Sequence, residues 1–431
     1  MVHSALPCTP DIPLTDHHNP LMNKIARIDL YHVERPLPET FFPAWIPGYP
    51  QTANQFTLIR VTTADGIEGW SAGVALAKER AGIGELVGPF LLGHDATDID
   101  FIQQRLFEFS LVGQRHWWIE PAFWDIKGQA EGKPVWQLLG GETGGRVPVY
   151  ASTGEVHDPE QRAEEVKQLI EAGFKTVKLR VHSFEPAEDI AQIETVRRAV
   201  GDAVELGVDA NQGWRVALID NAPLWTLQRA TDFASACAEH DIAWLEEPLD
   251  MYAWDELAEL RRRSGVPIAG GELNGGWHEF RTMLEKGSLD IYQPDATFGG
   301  GISDACRVMQ ACREQGLKFA PHTWSNGIGL IINLHVYAAG GREHPLEYPF
   351  EPPGWVPEVR DGLLAEPIRA DADGTIAVPV APGLGIELDE GKLKRYGEKF
   401  FDMTARGIAV KTIREKGLFT ALRLARRKKR R

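Results

Sequence analysis

Residues 206–210 read Leu-Gly-Val-Asp-Ala and residues 243–247 read Ala-Trp-Leu-Glu-Glu, with a stretch of helical periodicity from Ala222 to His240 between them. Each short run is largely apolar, and each carries an acid at or next to its end. A strand, a helix and a second strand of this kind predict a parallel pair joined by a crossover. Working outward, the same pattern recurs at Pro148–Ser152, Thr176–Val181, Ile268–Glu272, Ile291–Pro294, Lys318–Pro321 and Leu346–Tyr348. Helical stretches at Asp158–Ala172, Glu185–Val200, Tyr252–Ser264, Trp277–Lys286 and Ile302–Gln315 separate most of them. Sustained alternation means an α/β protein with right-handed crossovers, and about eight such units close a barrel.

The remainder of the chain brackets this barrel. Residues 1–23 read as a flexible N-terminal extension without the apolar core of a secretory signal. Residues 24–145 read as an α+β domain, with antiparallel strands at Lys24–Val33, Gln55–Thr62 and Glu68–Ser71 and helical patterns from Gly84 to Leu139. Its first two strands flank a long loop, Arg35–Gln51, rich in Phe41, Phe42, Trp45 and Tyr49. Loops of that length inside a compact domain are usually functional. The barrel occupies 146–350, and a Pro-rich run opens a segment, 351–431, expected to pack back on the first domain. Its basic tail, 423–431, reads as a solvated, frayed terminus.

Composition narrows the function. A formal net charge of −15 argues against nucleic-acid binding, and no apolar run approaches the ~20 residues of a membrane span. Cys8, Cys237, Cys306 and Cys312 form no CxxC pair, so neither a zinc site nor a disulfide framework is expected and a reducing cytoplasm fits. The glycine run after Phe298 lacks the spacing of a phosphate loop and reads as a tight turn.

Three acids end three successive strands: Asp209, Glu246 and Glu272. Barrel sites lie at the C-terminal ends of strands, so the three should converge. Convergent carboxylates repel unless a proton or a cation lies between them. An all-oxygen donor set suits Mg²⁺, with Mn²⁺ second. Glu247 should point to the opposite side of its strand. The next strands end in Asp295 and His322, an arrangement that fixes an imidazole tautomer for proton transfer. Across the barrel, Lys178 and Arg180 share one strand face, and two inward cations imply an anionic substrate group. Glu347 ends the last strand and becomes a hydrogen-bond donor to developing oxyanion charge if its surroundings protonate it.

In this ordered set the chain resembles the enolase superfamily, specifically its mandelate racemase subgroup and the acid-sugar dehydratases within it. The phrase beginning Ala122-Phe-Trp-Asp-Ile-Lys-Gly-Gln-Ala, followed by Pro134-Val-Trp-Gln-Leu-Leu-Gly-Gly, is similar to that family's join between capping domain and barrel. The resemblance implies a modified (β/α)7–8 TIM barrel with a capping α+β domain, metal ligation by Asp209, Glu246 and Glu272, and a His322–Asp295 dyad. It further implies Lys178 near the substrate carboxylate and Glu347 assisting an enediolate. That enediolate chemistry on Mg²⁺, with Lys or His bases, is a known pattern of the superfamily. Arg180 stands where many members carry a second lysine base, and arginine does not deprotonate. A single usable base on the His322 side favours loss of water from a sugar acid, giving a 2-keto-3-deoxy acid. Racemisation, epimerisation or cycloisomerisation through the same intermediate is the alternative, and a non-catalytic metal-binding relative is a second. Trp45, Tyr49, Trp324 and Asn211 are candidate substrate contacts, with Trp355 near the mouth. A cytoplasmic homo-oligomer, dimer to octamer, with a small carboxylate substrate and no nucleic-acid or membrane partner is expected.

Overall fold

A computed structural model of the chain describes residues 22–75, 88–111, 115–142, 144–341 and 343–428. Nearly all of the N-terminal extension, Cys8, and parts of the Gly84–Leu139 pattern and of the basic tail therefore lie outside the described residues.

Strands β1 (Ile25–Phe41), β2 (Gln51–Thr63) and β3 (Glu68–Val74) form an antiparallel sheet. The turn from β2 to β3 is made at Asp65-Gly66, with Gly66 at φ 95°, as the Asp-Gly pair predicts. One face of the sheet packs Ile28, Leu30, Ile59 and Val61 against helices Ile99–Ser110 and Pro121–Glu131. The other face sends Tyr31, Val33, Phe56 and Leu58 into the main core shared with the barrel. The loop expected at Arg35–Gln51 is shorter than read. β1 runs on to Phe41 and pairs with β2 through Pro36, slipping register before Phe41 meets Gln51. Pro36 and Pro38 lack a backbone donor, and slipped pairing at the end of a long strand tolerates them.

The barrel strands are β4 (Arg146–Ser152), β5 (Thr176–Arg180), β6 (Glu205–Asp209), β7 (Ile242–Glu246), β8 (Ile268–Gly270), β9 (Ile291–Tyr292), β10 (Lys318–Phe319) and β11 (Leu346–Pro349). They are parallel, and the ladder runs β11-β4-β5-β6-β7-β8-β9-β10. Among the described residues no ladder joins β10 to β11. There Thr323 spans the seam, its N–H donating to Glu347 Oε2 at 2.7 Å and its hydroxyl to the Glu347 carbonyl at 2.8 Å. β12 (Thr375–Ala377) pairs antiparallel with β4, and β13 (Gly397–Thr404) returns to pair with β1.

Alternation along each strand divides the barrel into two shells. Val177, Leu179, Leu206, Val208 and Leu245 belong to the core under the helices. Tyr150, Trp244, Ala269 and Ile291 form the barrel floor, each large side chain there contributing about 1.5–3 kcal/mol by burial. Trp244 fits because its neighbour across the β6–β7 ladder is Gly207. A methyl group on Gly207 would overlap the Trp244 ring. Gly207→Ala is therefore expected to cost about 1–3 kcal/mol by overpacking, read as a lower urea midpoint. An unchanged midpoint would show that the floor can relax.

Sequence periodicity missed one barrel helix, Gly327–Gly340. It is buried on almost every side, so no amphipathic stripe marks it. Its start is nevertheless signalled by Asn326, whose side chain accepts from the N–H groups of Ile328 and Gly329. The tail read as frayed is helical over its described part, 423–428, and 429–431 lie outside the described residues. Residues 405–416 and 418–428 form two helices.

Candidate active site

β5, β6 and β7 are in register so that Arg180, Asp209 and Glu246 lie side by side at one level, with Lys178, Gly207 and Trp244 one layer below. Glu272 follows β8 after Gly271, a residue at φ 112° that turns the chain inward. Asp295 and His322 follow the short strands β9 and β10. Carboxylate oxygens of Asp209, Glu246 and Glu272 all lie within 4.8 Å of one another. The predicted trio thus does converge.

Two of the acids, Glu246 and Asp209, are fixed by specific donors. Glu246 Oε2 accepts from Trp244 Nε1 at 3.0 Å and Gln293 Nε2 at 2.9 Å. Asp209 Oδ1 accepts from the Asn211 N–H at 2.8 Å. Lys178 Nζ lies 2.5 Å from Glu246, 2.8 Å from Glu347 and 3.4 Å from Asp209. Burial alone would lower the Lys178 pKa, but Glu246 and Glu347 outweigh it and hold the ammonium well above its ordinary range. Arg180 pairs with Asp209 and donates to the Thr153 carbonyl at 2.6 Å. Its guanidinium carbon lies 5.3 Å from the ring centre of Trp45 and 5.4 Å from that of Trp324. The inward cations are thus paired with the site's own acids.

His322 Nδ1 lies 2.8 Å from Asp295, and its Nε2 faces Glu272 at 3.3 Å and Glu347 at 3.7 Å. Burial pushes its pKa down, but Glu272, Glu347 and Asp295 together raise it to about 10. The other oxygen of Asp295 accepts from the Thr297 N–H at 2.6 Å, the Thr297 hydroxyl at 2.7 Å and Asn333 Nδ2 at 3.0 Å. Neither Thr297 nor Asn333 was singled out in the sequence. A lone Asn within the apolar stretch 327–340 was the available signal. Burial raises the Glu347 carboxyl pKa, but Lys178 and His322 reverse this and hold it well below the usual range. With Ser152 Oγ donating at 2.7 Å and the Thr323 N–H at 2.7 Å, Glu347 is an acceptor in this arrangement and not the donor considered above.

Glu247 points to the opposite side of the strand from Glu246, as expected. Its backbone sits at φ 45°, and its side chain lies against Gly213 and Gly270 beside Leu249, Leu257, Met283 and Leu289 of the core under the helices. Burial and the charges of Glu272, Asp209 and Glu246 raise its pKa well above the carboxylate range. Its Oε2 is buried with no hydrogen-bond partner among the described residues. Asp209, Glu246, Asp295 and Glu347 are buried, and the Glu272 side chain is only 12% exposed, against two permanent cations, Lys178 and Arg180. This excess of negative charge, in an all-oxygen donor set, fits a bound hard cation.

Above the acids lies a cavity of 460 Å³, lined by Trp45, Tyr49, Phe298, Trp324, Asn326 and Trp355 among others. Phe41, Trp45, Trp324 and Trp355 pack together at its base. Tyr49 is 44% exposed at its rim. Asn211, at φ 46°, accepts through its side-chain Oδ1 from Arg180 Nη1 at 3.3 Å. The glycine run is a turn, as read. Gly300 and Gly301 sit at φ 148° and 75°, and the helix start they lead into is taken by Glu120, which accepts from the Ser303 N–H at 3.3 Å.

Fold and acid cluster together define a (β/α)-barrel with a carboxylate-rich site beneath an α+β cap. The description "Enolase C-terminal domain-like" matches residues 161–392, and "Mandelate racemase / muconate lactonizing enzyme, N-terminal domain" matches residues 31–140. The chain belongs to the enolase superfamily, in its mandelate racemase/muconate lactonizing enzyme group. Its relatives include an arabinonate dehydratase of Saccharolobus solfataricus, 29% identical over 81% of this chain and 93% of that protein. A D-galactarolactone cycloisomerase of Agrobacterium fabrum is 29% identical over 79% of this chain and 90% of that protein. The crystal structure of an L-talarate dehydratase from Polaromonas sp. JS666, complexed with Mg and L-glucarate, matches with a TM-score of 0.73 at 27% identity. That match covers 89% of this chain and 99% of that one.

Proposed function

We propose that the protein dehydrates a sugar acid to a 2-keto-3-deoxy acid, beginning with removal of the proton next to the carboxylate. The single observation that carries this reading is the His322–Asp295 pair, with His322 Nε2 opening 3.3 Å from Glu272 of the acid trio. Asp209, Glu246 and Glu272 would hold Mg²⁺, with Mn²⁺ as substitute, and the ion when bound supplies Lewis acidity that stabilises charge developing on the substrate carboxylate. The names of the relatives support dehydration, and the Mg-bound relative supports the choice of ion.

The chain's own residues divide the work. Asp295, anchored by Thr297 and Asn333, holds the imidazole so that Nε2 faces the substrate. In its neutral form His322 takes the α-proton. It then returns a proton to the departing 3-hydroxyl, which leaves as water, and the resulting enol becomes the ketone. Lys178 and Arg180 place positive charge on the other side. Arg180 does not serve as a base, and Lys178 is pinned as ammonium by three acids. Trp45 and Trp324 cover Arg180 and keep water from that side.

A panel of mono- and diacid sugars with Mg²⁺, scored for 2-keto acid and for deuterium uptake at the α-carbon, tests the reading. Keto-acid release supports it. Deuterium uptake without loss of water would shift the assignment to a racemase, epimerase or cycloisomerase, which the named cycloisomerase relative keeps as the second reading. Neither outcome across the panel would favour a non-catalytic relative. Asn333→Ala addresses the dyad's support. Freed of one donor, Asp295 loses its set, and kcat is expected to fall about 10- to 100-fold with KM little changed. A loss confined to KM would assign Asn333 a different role.

A further inference from the structure

The family descriptions match residues 31–140 and 161–392, and two helices lie beyond them. Ala405–Lys416 and Leu418–Lys428 follow β13 and meet at Gly417, which sits at φ 80°. Thr404 caps the first helix, its Oγ1 accepting from the Gly407 N–H at 3.1 Å. Neither helix buries an apolar stripe against the body. Phe419 is 89% exposed, and Val410, Leu418, Leu422 and Leu424 are exposed as well. Helical spacing places Leu418, Leu422 and Ala425 on one face, with Arg426 and Phe419 along one edge of it and Arg423 next beyond them.

Charge divides just as sharply. Eleven of the chain's 46 Lys and Arg residues, but only one of its 61 acids, Glu415, fall in residues 405–431. The rest of the molecule is strongly acidic. We propose that this helical hairpin seats the protein on the surface of an anionic phospholipid bilayer, its leucines and Phe419 in the interface and its cations on the headgroups.

Two other occupants fit less well. A nucleic acid would answer the cations, but gives exposed aliphatic side chains no partner. Pairing of two hairpins would bring together segments that each carry eleven cations and one acid. The bilayer surface satisfies both features of one helix, and arginine stems can lie along the apolar face while their heads reach phosphate. No helix among the described residues is long and apolar enough to cross a membrane, so the contact is peripheral. The expectation of no membrane partner rested on the lack of a span, which this arrangement does not need.

The test uses the full chain with Mg²⁺ and sedimented vesicles of phosphatidylcholine, with and without about 30% phosphatidylglycerol. Binding is expected on the anionic vesicles alone and is expected to be lost at about 0.5 M salt. The double variant Phe419→Asp, Leu422→Asp should lower partitioning about tenfold or more while leaving solution turnover unchanged. Equal sedimentation of parent and double variant would overturn the proposal. So would no binding to anionic vesicles at low salt, whether the hairpin then proved to bind RNA or a second copy in its place.

Discussion

His322→Asn is expected to reduce turnover about 10³- to 10⁴-fold while leaving metal affinity nearly unchanged, because only the proton carrier is removed. Asn is close to the imidazole in shape and keeps a polar group facing Asp295, so the loss measures chemistry more than packing. If His322 handles both the α-proton and the departing hydroxyl, the variant should lose deuterium exchange and keto-acid formation together. Retention of exchange with loss of dehydration would split the two duties and bring another acid into the second step. Full turnover with intact Mg²⁺ binding would remove His322 from the reaction altogether.

Lys178→Met is the second large effect, and it couples stability to the metal. Lys178 lies within 3.4 Å of Asp209, Glu246 and Glu347, all buried. Removing one partner from a buried charge network costs about 3–5 kcal/mol, since the remaining charges are left uncompensated. A cation bound at the acid trio offsets part of that repulsion. Added Mg²⁺ should therefore raise the thermal midpoint of the variant more than that of the parent. Turnover at saturating Mg²⁺ should still fall about 10²-fold or more, through lost stabilisation of transition-state charge. Equal midpoints of the two proteins without Mg²⁺, or equal increments with it, would mean that the ammonium does not balance the acids.

Much of this is legible in the sequence. Strands stood out because both faces of a parallel barrel are buried, which leaves continuous apolar runs, and because each run ended on a polar group. Asp209, Glu246, Glu272, Asp295 and His322 were found by that position alone. The failures share a physical origin. Helix Gly327–Gly340 has no solvent side and so leaves no period. Asn333 on that helix acts on Asp295 from 38 positions away, a contact that only the closed fold creates. The ionisation of Glu347 depends on Lys178 and His322 arriving from two other strand ends.

The seam between β10 and β11 gives the site an architectural consequence. Glu347 receives Lys178 and faces His322, and through Thr323 the same residue links the two terminal strands of the ladder. Part of the barrel's closure is thereby entrusted to a group inside its reaction chamber. Mutational drift that altered the chemistry at position 347 would also have to re-rivet the wall. The route to new activities in this lineage accordingly runs through the cap and the aromatic mouth, where a side chain can change without unfastening the ring.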